Sequence, residues 1–391
     1  MIEQNEIKID GVTYNIDEFR YIHPGGAHFI EAYSGLDASI AFSTYHKFNF
    51  PHKKMEKYYV KGEIDEKKDI LYEELKKEVH SKIKNRYADN LTFCKIGIIL
   101  FLTICIEFYY HYYNYSVYCV ILLGFLYGLI GLNIQHDANH GALSKKPWVN
   151  KLLGTSQDFI GGSSLDWIIH HIVYHHPYTN QLELDPDIDP GSLLRLHNMK
   201  EKLKYHKTQQ WYCWILLLFF GFNEVIKSTK NLIYFEYCSK KYPFPNYYLQ
   251  YRPLSLLFKI FFIYRWIYLP PSIIHFSILS TICGFYLSLF FIISHNFTDV
   301  ETYTDIIENK FLIQQAESSS SIKSNILCVL NGGLNYQIEH HLFPGFCHCH
   351  YLKLSEIVEK FFIKHNIKYN SFDSFSENLN STIKRLKYLG D

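Results

Sequence analysis

Residues 116–142 read SVYCVILLGFLYGLIGLNIQHDANHGA. Positions 116–135 carry no charge. At 1.5 Å per residue that run is long enough to cross a hydrocarbon core of about 30 Å. It ends directly on His136-Asp137-Ala138-Asn139-His140, whose two imidazoles lie four positions apart and so share one face of a helix. An apolar span that terminates in paired histidines sets how the rest of the chain is read.

Working outward, residues 91–113 form a second apolar run, broken by Lys95 and Glu107. A charge-poor stretch covers 254–294, with Lys259 and Arg265 early and a Pro270-Pro271 break in the middle. Its second half, 272–294, is uncharged; its first half, 254–269, is shorter. Residues 211–223 are apolar but too short to span, which suits an interfacial or re-entrant segment. Four spans in two hairpins are expected, with residues 1–90, 136–253 and 295–391 on one face. These segments hold most of the Lys and Arg, so that face is expected to be cytosolic.

Composition narrows the class. The 391 residues are 17% aromatic and 20% charged, with 21 histidines. That aromatic content excludes a disordered chain, and a net charge of +1 gives no basis for nucleic-acid binding. The nine cysteines are scattered, odd in number and without a CxxC, and so read as reduced thiols. The polar start Met1-Ile2-Glu3-Gln4 is not expected to be a secretory signal.

Residues 1–65 have the character of a soluble domain, 66–90 of a linker helix solvated on most of its face, and 91–391 of a membrane domain. In the first of these, Tyr21-Ile22-His23-Pro24-Gly25-Gly26 is a tight turn that presents a histidine. His46 follows on a separate segment. Two such histidines can clamp a planar cofactor from both faces, as in an electron-carrying haem.

The membrane domain holds two further histidine clusters, His170-His171-Ile172-Val173-Tyr174-His175-His176 and Gln337-Ile338-Glu339-His340-His341, with His295 closing the last span. Many imidazoles with few carboxylates can hold two iron ions. Asp137, Asp158, Asp166, Asp185, Asp187, Asp189 and Glu339 are then available to orient the ligand rings. Cys347-His348-Cys349-His350 lacks a partner pair and reads as a loop, and His275 is expected to face a neighbouring helix. The Tyr109–Tyr113 run reads as an interfacial aromatic belt.

The order HPGG, then Gly35-Leu36-Asp37-Ala38, Phe42 and His46, with Tyr58-Tyr59-Val60-Lys61-Gly62 closing the domain, resembles a cytochrome b5 domain. With HDANH, HxxxHH and QIEHH after it, almost the whole chain resembles the cytochrome b5-fused front-end fatty acyl desaturases. The resemblance implies a small α+β haem domain followed by an all-α integral membrane desaturase domain, with four transmembrane helices and a cytosolic histidine-rich cap. It implies His23 and His46 as axial ligands of a non-covalently held haem b. It implies His136, His140, His171, His175, His176, His340 and His341 as catalytic ligands of two iron ions, and His295 as one more. Gln337 stands where other desaturases carry a histidine and would ligate weakly or through water. The second box is written in the family as HxxHH or HxxxHH, so His170 and His171 both stay open; the longer spacing selects His171.

The implied reaction uses O2 and two electrons, delivered from NADH through a cytochrome b5 reductase and the fused haem. It would insert a cis double bond into a long-chain polyunsaturated acyl substrate, between an existing double bond and the carboxyl end. The first histidine box and Gln157–Gly162 look closest to delta-4 and delta-5 enzymes; delta-6 and delta-8 stay open, as does CoA against phospholipid as carrier. The implied location is the endoplasmic reticulum membrane, multi-pass, with haem domain and active site cytosolic. Alternatives are a sphingoid-base desaturase or lipid hydroxylase with the same cofactors, a zinc hydrolase, and a non-catalytic membrane haem or lipid-binding protein on a decayed desaturase scaffold.

Overall fold

The computed structural model describes residues 2–65, 68–236, 244–269, 273–304 and 310–391. Cys238 and the Pro270-Pro271 break lie outside the described residues. The eight described cysteines are all unpaired.

The N-terminal part is built on an antiparallel three-stranded sheet, Glu6–Ile9, Val12–Asn15 and Tyr59–Lys61, in that order. Short helices Phe19–Ile22, Ala27–Ala32 and Ser39–Tyr45 stand beside it. Their apolar interior does not end at the domain edge. Ile7, Tyr14, Ala32 and Tyr33 share one continuous core with Ile168, Ile169, Ile172 and Val173 of the second histidine segment. Tyr33 Oη also donates to the Ile172 carbonyl at 2.8 Å.

The helix Ile70–Lys82 differs from the mostly solvated linker expected. It buries Tyr72, Leu75 and Val79 in a core that also holds Tyr336, Leu354 and Phe361, and Tyr72 Oη donates to the Leu342 carbonyl at 2.7 Å. Its charges mask an apolar stripe at helical spacing.

Three described helices, not four, are long and apolar enough to cross a membrane: Asn90–Tyr112, Val117–Asn139 and Ile273–His295. Asp89 and Ser116 cap the first two by accepting from the backbone N–H of Thr92 and Tyr118. The second and third spans pack closely because Gly124, Gly128 and Gly131 form a side-chain-free stripe; a Cβ at each would lie 2.7–2.8 Å from Ile282, Tyr286 and Leu287.

Both of these spans end on histidines of one site, so they run in the same direction. The chain must therefore travel back between them. Arg252–Ile263, continued by the π-helical Tyr264–Tyr268, makes that journey. It starts beside the N-terminal domain, where Tyr251 Oη donates to Glu31 at 2.7 Å. It ends at the opposite end of the first span, where Arg265 pairs with Glu107 and Trp266 stacks on Tyr110 at 5.5 Å. Its helical length is twelve residues plus five, below what a full span needs. Arg252 stands at its start, and the two charges within it, Lys259 and Arg265, face inward: Lys259 Nζ donates to the Gly162 carbonyl at 2.8 Å and to Ser228 Oγ at 2.7 Å. Leu257, Ile260 and Tyr268 point outward. The apolar run 211–223 is divided between Gln209–Leu217 and Phe220–Tyr234.

Candidate active site

Two of the three histidine boxes enter the site on or directly after a locally unusual helix, while the third lies on the α-helix Gln337–Leu342. Gly131–Gln135 and Ile168–His175 are π-helical, a form that concentrates at functional sites because its extra residue per turn re-aims side chains. In the second box the His176 N–H donates five residues back, to the His171 carbonyl, at 3.0 Å. His171 and His176 are thereby stacked on one face, with their Nε2 atoms 3.1 Å apart. The His175 ring lies 4.9 Å from those of His295 and His341.

The imidazoles fall into two groups. Candidate ligand atoms of His136, His140, His171 and His340 all lie within 4.8 Å of one another, and so do those of His175, His295 and His341. All seven residues are buried. His176 stands between the groups, with its ring 4.6 Å from His340 and 4.4 Å from His341. Gln337 is buried on the same helix as His340 and His341, and its Oε1 has no partner. His170 is left out, paired instead with Asp187.

The outer nitrogens are fixed by the protein. Nδ1 of His340 lies 2.9 Å from Tyr351 Oη, that of His295 3.0 Å from the Ser318 carbonyl, and that of His341 3.1 Å from Thr179 Oγ1. His175 Nδ1 lies 3.0 Å from Asp185 and 3.3 Å from Asp187. His140 Nδ1 lies 2.6 Å from Tyr45 Oη, which belongs to the haem domain. Nε2 of His140, His340 and His341 is buried without a hydrogen-bond partner, as are both ring nitrogens of His136. Rings oriented through Nδ1 with Nε2 left over are what metal ligation by histidine requires, and this donor set fits two iron ions.

The charge states of five rings agree, and that of His175 differs. Burial, then the neighbouring imidazoles, hold His140, His171, His176, His340 and His341 well below the usual imidazole range, so they are neutral. Burial would lower His175 too, but Asp185 and Asp187 outweigh it and lift the group to about 9.

Not all the expected orienting acids reach the rings. Asp137 contacts His136 at 3.6 Å and accepts from His348 Nδ1 at 2.7 Å. Asp158 accepts from the Ser164 N–H, Asp166 from Asn231, and Glu339 from Tyr369 and Ser321; Asp189 pairs with Lys200. Sequence reading missed Tyr45, Tyr351, Thr179 and Ser318, whose residue types carry no metal signature. It also left Cys347–His350 as a plain loop. His348 is in fact buried between Asp137 and Lys95, whose Nζ lies 2.7 Å from its Nε2, and Cys347 lies within reach of Asp137 and His348. His275 does face a neighbouring helix, 2.7 Å from Tyr110 Oη.

A second site opens beside the first. His23 and His46 face each other with ring centroids 6.0 Å apart across a cleft of about 800 Å³. Their Nδ1 atoms lie 3.1 and 3.0 Å from the carbonyls of Gly26 and Phe42, which turns each Nε2 into the cleft. That separation accommodates one iron with metal–nitrogen bonds of about 2 Å on each side. Gly25 is needed for closeness: a Cβ there would sit 2.8 Å from the His23 ring. Phe19, Ile30, Phe42 and Phe50 line the cleft, and so does His140 of the metal group.

A bis-histidine haem cleft joined to an apolar helical bundle with a double histidine centre defines a haem-linked membrane oxidoreductase. Comparison with known proteins specifies which. Residues 7–65 match the cytochrome b5-like heme/steroid binding domain and residues 114–373 match the fatty acid desaturase family. An acyl-lipid (7-3)-desaturase of Rebecca salina is 36% identical over 97% of this chain and 89% of its own length. One of the same name from Diacronema lutheri is 33% identical over 99% and 91%. The delta(5) fatty acid desaturase A of Dictyostelium discoideum is 27% identical over 98% and 90%. The chain belongs to the fatty acid desaturase family, as a cytochrome b5-fused front-end desaturase.

Proposed function

We propose that this enzyme inserts a cis double bond into a long-chain polyunsaturated acyl chain carried on a lipid, between an existing double bond and the carboxyl end. The observation that carries the reading is the pair of buried histidine groups at the ends of two parallel apolar spans, with the haem cleft against one of them. His136, His140, His171 and His340 hold one iron, and His175, His295 and His341 the other. His176 serves the space between, and Gln337 acts through its unpartnered oxygen. When bound, the irons supply the O2 chemistry needed to break two unactivated C–H bonds. The protein's part is to keep His140, His171, His176, His340 and His341 neutral, to fix the rings, and to bury the centre from water.

His23 and His46 would hold haem b, which would supply one-electron transfer, with NADH and a cytochrome b5 reductase as the electron source. Residues 1–65, 66–90 and 91–391 act as haem domain, linker and membrane domain. The three long helices and the shorter segment 252–268 make four crossings of the endoplasmic reticulum membrane, with both cofactor sites on the cytosolic side. The shared acyl-lipid (7-3) name of the Rebecca salina and Diacronema lutheri relatives supports that regiochemistry and a lipid carrier, over the delta(5) type of the less similar Dictyostelium protein.

Expression in a yeast fed polyunsaturated acids of graded length, with analysis of double-bond position and of the lipid carrying each product, tests this. A new double bond on the carboxyl side of the existing ones is expected in the lipid fraction. An added hydroxyl, or unsaturation confined to the sphingoid base, overturns it.

A further inference from the structure

The tightest joint between the two cofactor sites is made by a side chain that is a ligand in neither. Tyr45 closes the helix Ser39–Tyr45 and immediately precedes His46. Its phenol oxygen lies 2.6 Å from Nδ1 of His140, and the two rings stack at 6.3 Å with planes 21° apart. Tyr45, His46 and His140 all line the same cleft. The Tyr45 carbonyl is held in turn by Arg86, whose Nη1 donates at 3.0 Å.

The proton balance at this joint is determined. A neutral imidazole that gives Nε2 to a metal carries its proton on Nδ1, so His140 donates to the phenol oxygen. From His46 to His140 the path then consists of one peptide link, the Tyr45 side chain and one hydrogen bond, with no gap across empty space. Electron tunnelling decays far less steeply through bonds and hydrogen bonds than through space.

We infer that Tyr45 is the bridge that carries electrons from the haem held by His23 and His46 to the metal ion held by His140. The inference rests on the proposed function, in which the haem is the donor. Each transfer oxidises haem iron from ferrous to ferric and reduces a ferric ion of the histidine centre to ferrous. Two transfers per turnover supply two electrons. With two protons from water and two hydrogens from the acyl chain they reduce one O2 to two waters. Tyr45 itself is neither oxidised nor reduced.

Tyr351 provides the control. It lies 2.9 Å from Nδ1 of His340, in the same metal group, but does not line the haem cleft. A merely structural hydrogen bond predicts the same effect at both tyrosines; a bridge predicts a larger effect at Tyr45 than at Tyr351.

The test uses full-length enzyme, loaded with iron to equal occupancy and reduced anaerobically with NADH and cytochrome b5 reductase. It is then mixed with O2 and acyl substrate while the haem spectrum is followed. Tyr45→Phe is expected to slow haem reoxidation by about tenfold or more, with an unchanged haem spectrum and unchanged reduction by NADH. Tyr351→Phe, which also loses a bond to a ligand ring, is expected to slow reoxidation less than Tyr45→Phe at the same iron occupancy. If Tyr45→Phe does not hold both cofactors, Tyr45→Trp replaces it; it keeps a bulky ring but places no oxygen on His140, and the same slowing is expected. A wild-type rate in the Tyr45 variant, or equal slowing in Tyr351→Phe, overturns the bridge. Failure of the wild-type haem to reoxidise at all would instead overturn the proposed function.

Discussion

His171 and His176 point their Nε2 atoms at each other across 3.1 Å, held there by a π-helical turn. As neutral imidazoles one must donate its Nε2–H to the other, and that bond is given up if each Nε2 turns to a metal ion. This contact brings the two histidine groups together within one helical segment.

Metal and haem occupancy should therefore be separable. His340→Ala or His341→Ala is expected to abolish the new double bond and lower bound iron while leaving the haem spectrum intact. His46→Ala should do the converse, losing the haem spectrum while iron stays. Metal analysis beside the visible spectrum of each purified variant checks this; full conversion by His340→Ala would refute the ligand assignment.

The outer hydrogen bonds should matter by one to two orders of magnitude. Tyr351→Phe and Asp185→Asn each remove what fixes Nδ1 of a ligand ring. Iron affinity is expected to fall by about 10–100-fold in each. Titration with a chelator of known strength reads it, and unchanged retention would mean the rings are held by packing alone.

Gly25→Ala tests the haem cleft. The added methyl would sit 2.8 Å from the His23 ring. Purified Gly25→Ala should carry less haem than wild type at equal protein, with its iron content unchanged.

A fourth expectation concerns pH. Burial pushes the Asp166 carboxyl up to about 8, against which its hydrogen bond from Asn231 is insufficient. A raised folded pKa means that the folded state keeps a proton the unfolded chain has lost. Stability from this group is therefore full below the unfolded carboxyl pKa of 3.8 and declines as pH rises towards about 8. Asp166→Asn should remove that decline, so the melting temperature of the variant in detergent should gain on wild type between pH 5 and about 8.5. Parallel melting curves would show Asp166 to be ionised throughout.

Much of this was legible in the sequence. His136 and His140 share a face as their spacing demands, and HPGG presents His23 as a constrained turn should. Other features were hidden for physical reasons. The boundary between His171 and His175 follows a π-helix, and an α-helical reading of their spacing cannot foresee that they serve different groups. The segment 254–269 looked marginal because Lys259 and Arg265 dilute its hydropathy, and only the fold shows both charges turned inside to polar partners. Tyr45, Tyr351 and Thr179 touch the ligand rings from far along the chain, and nothing local marks them.

The core that runs unbroken from Ile7 and Tyr33 to Ile172 and Val173 makes the two halves poor candidates for exchange. A cytochrome grafted from another source would bring its own ligands but not a mate for that greasy seam. Deleting the first 65 residues would leave Ile168, Ile169 and Ile172 bare to water and His140 uncovered. The donor is thus a wall of the reaction chamber, and whatever pressure acts on one half must be answered in the other.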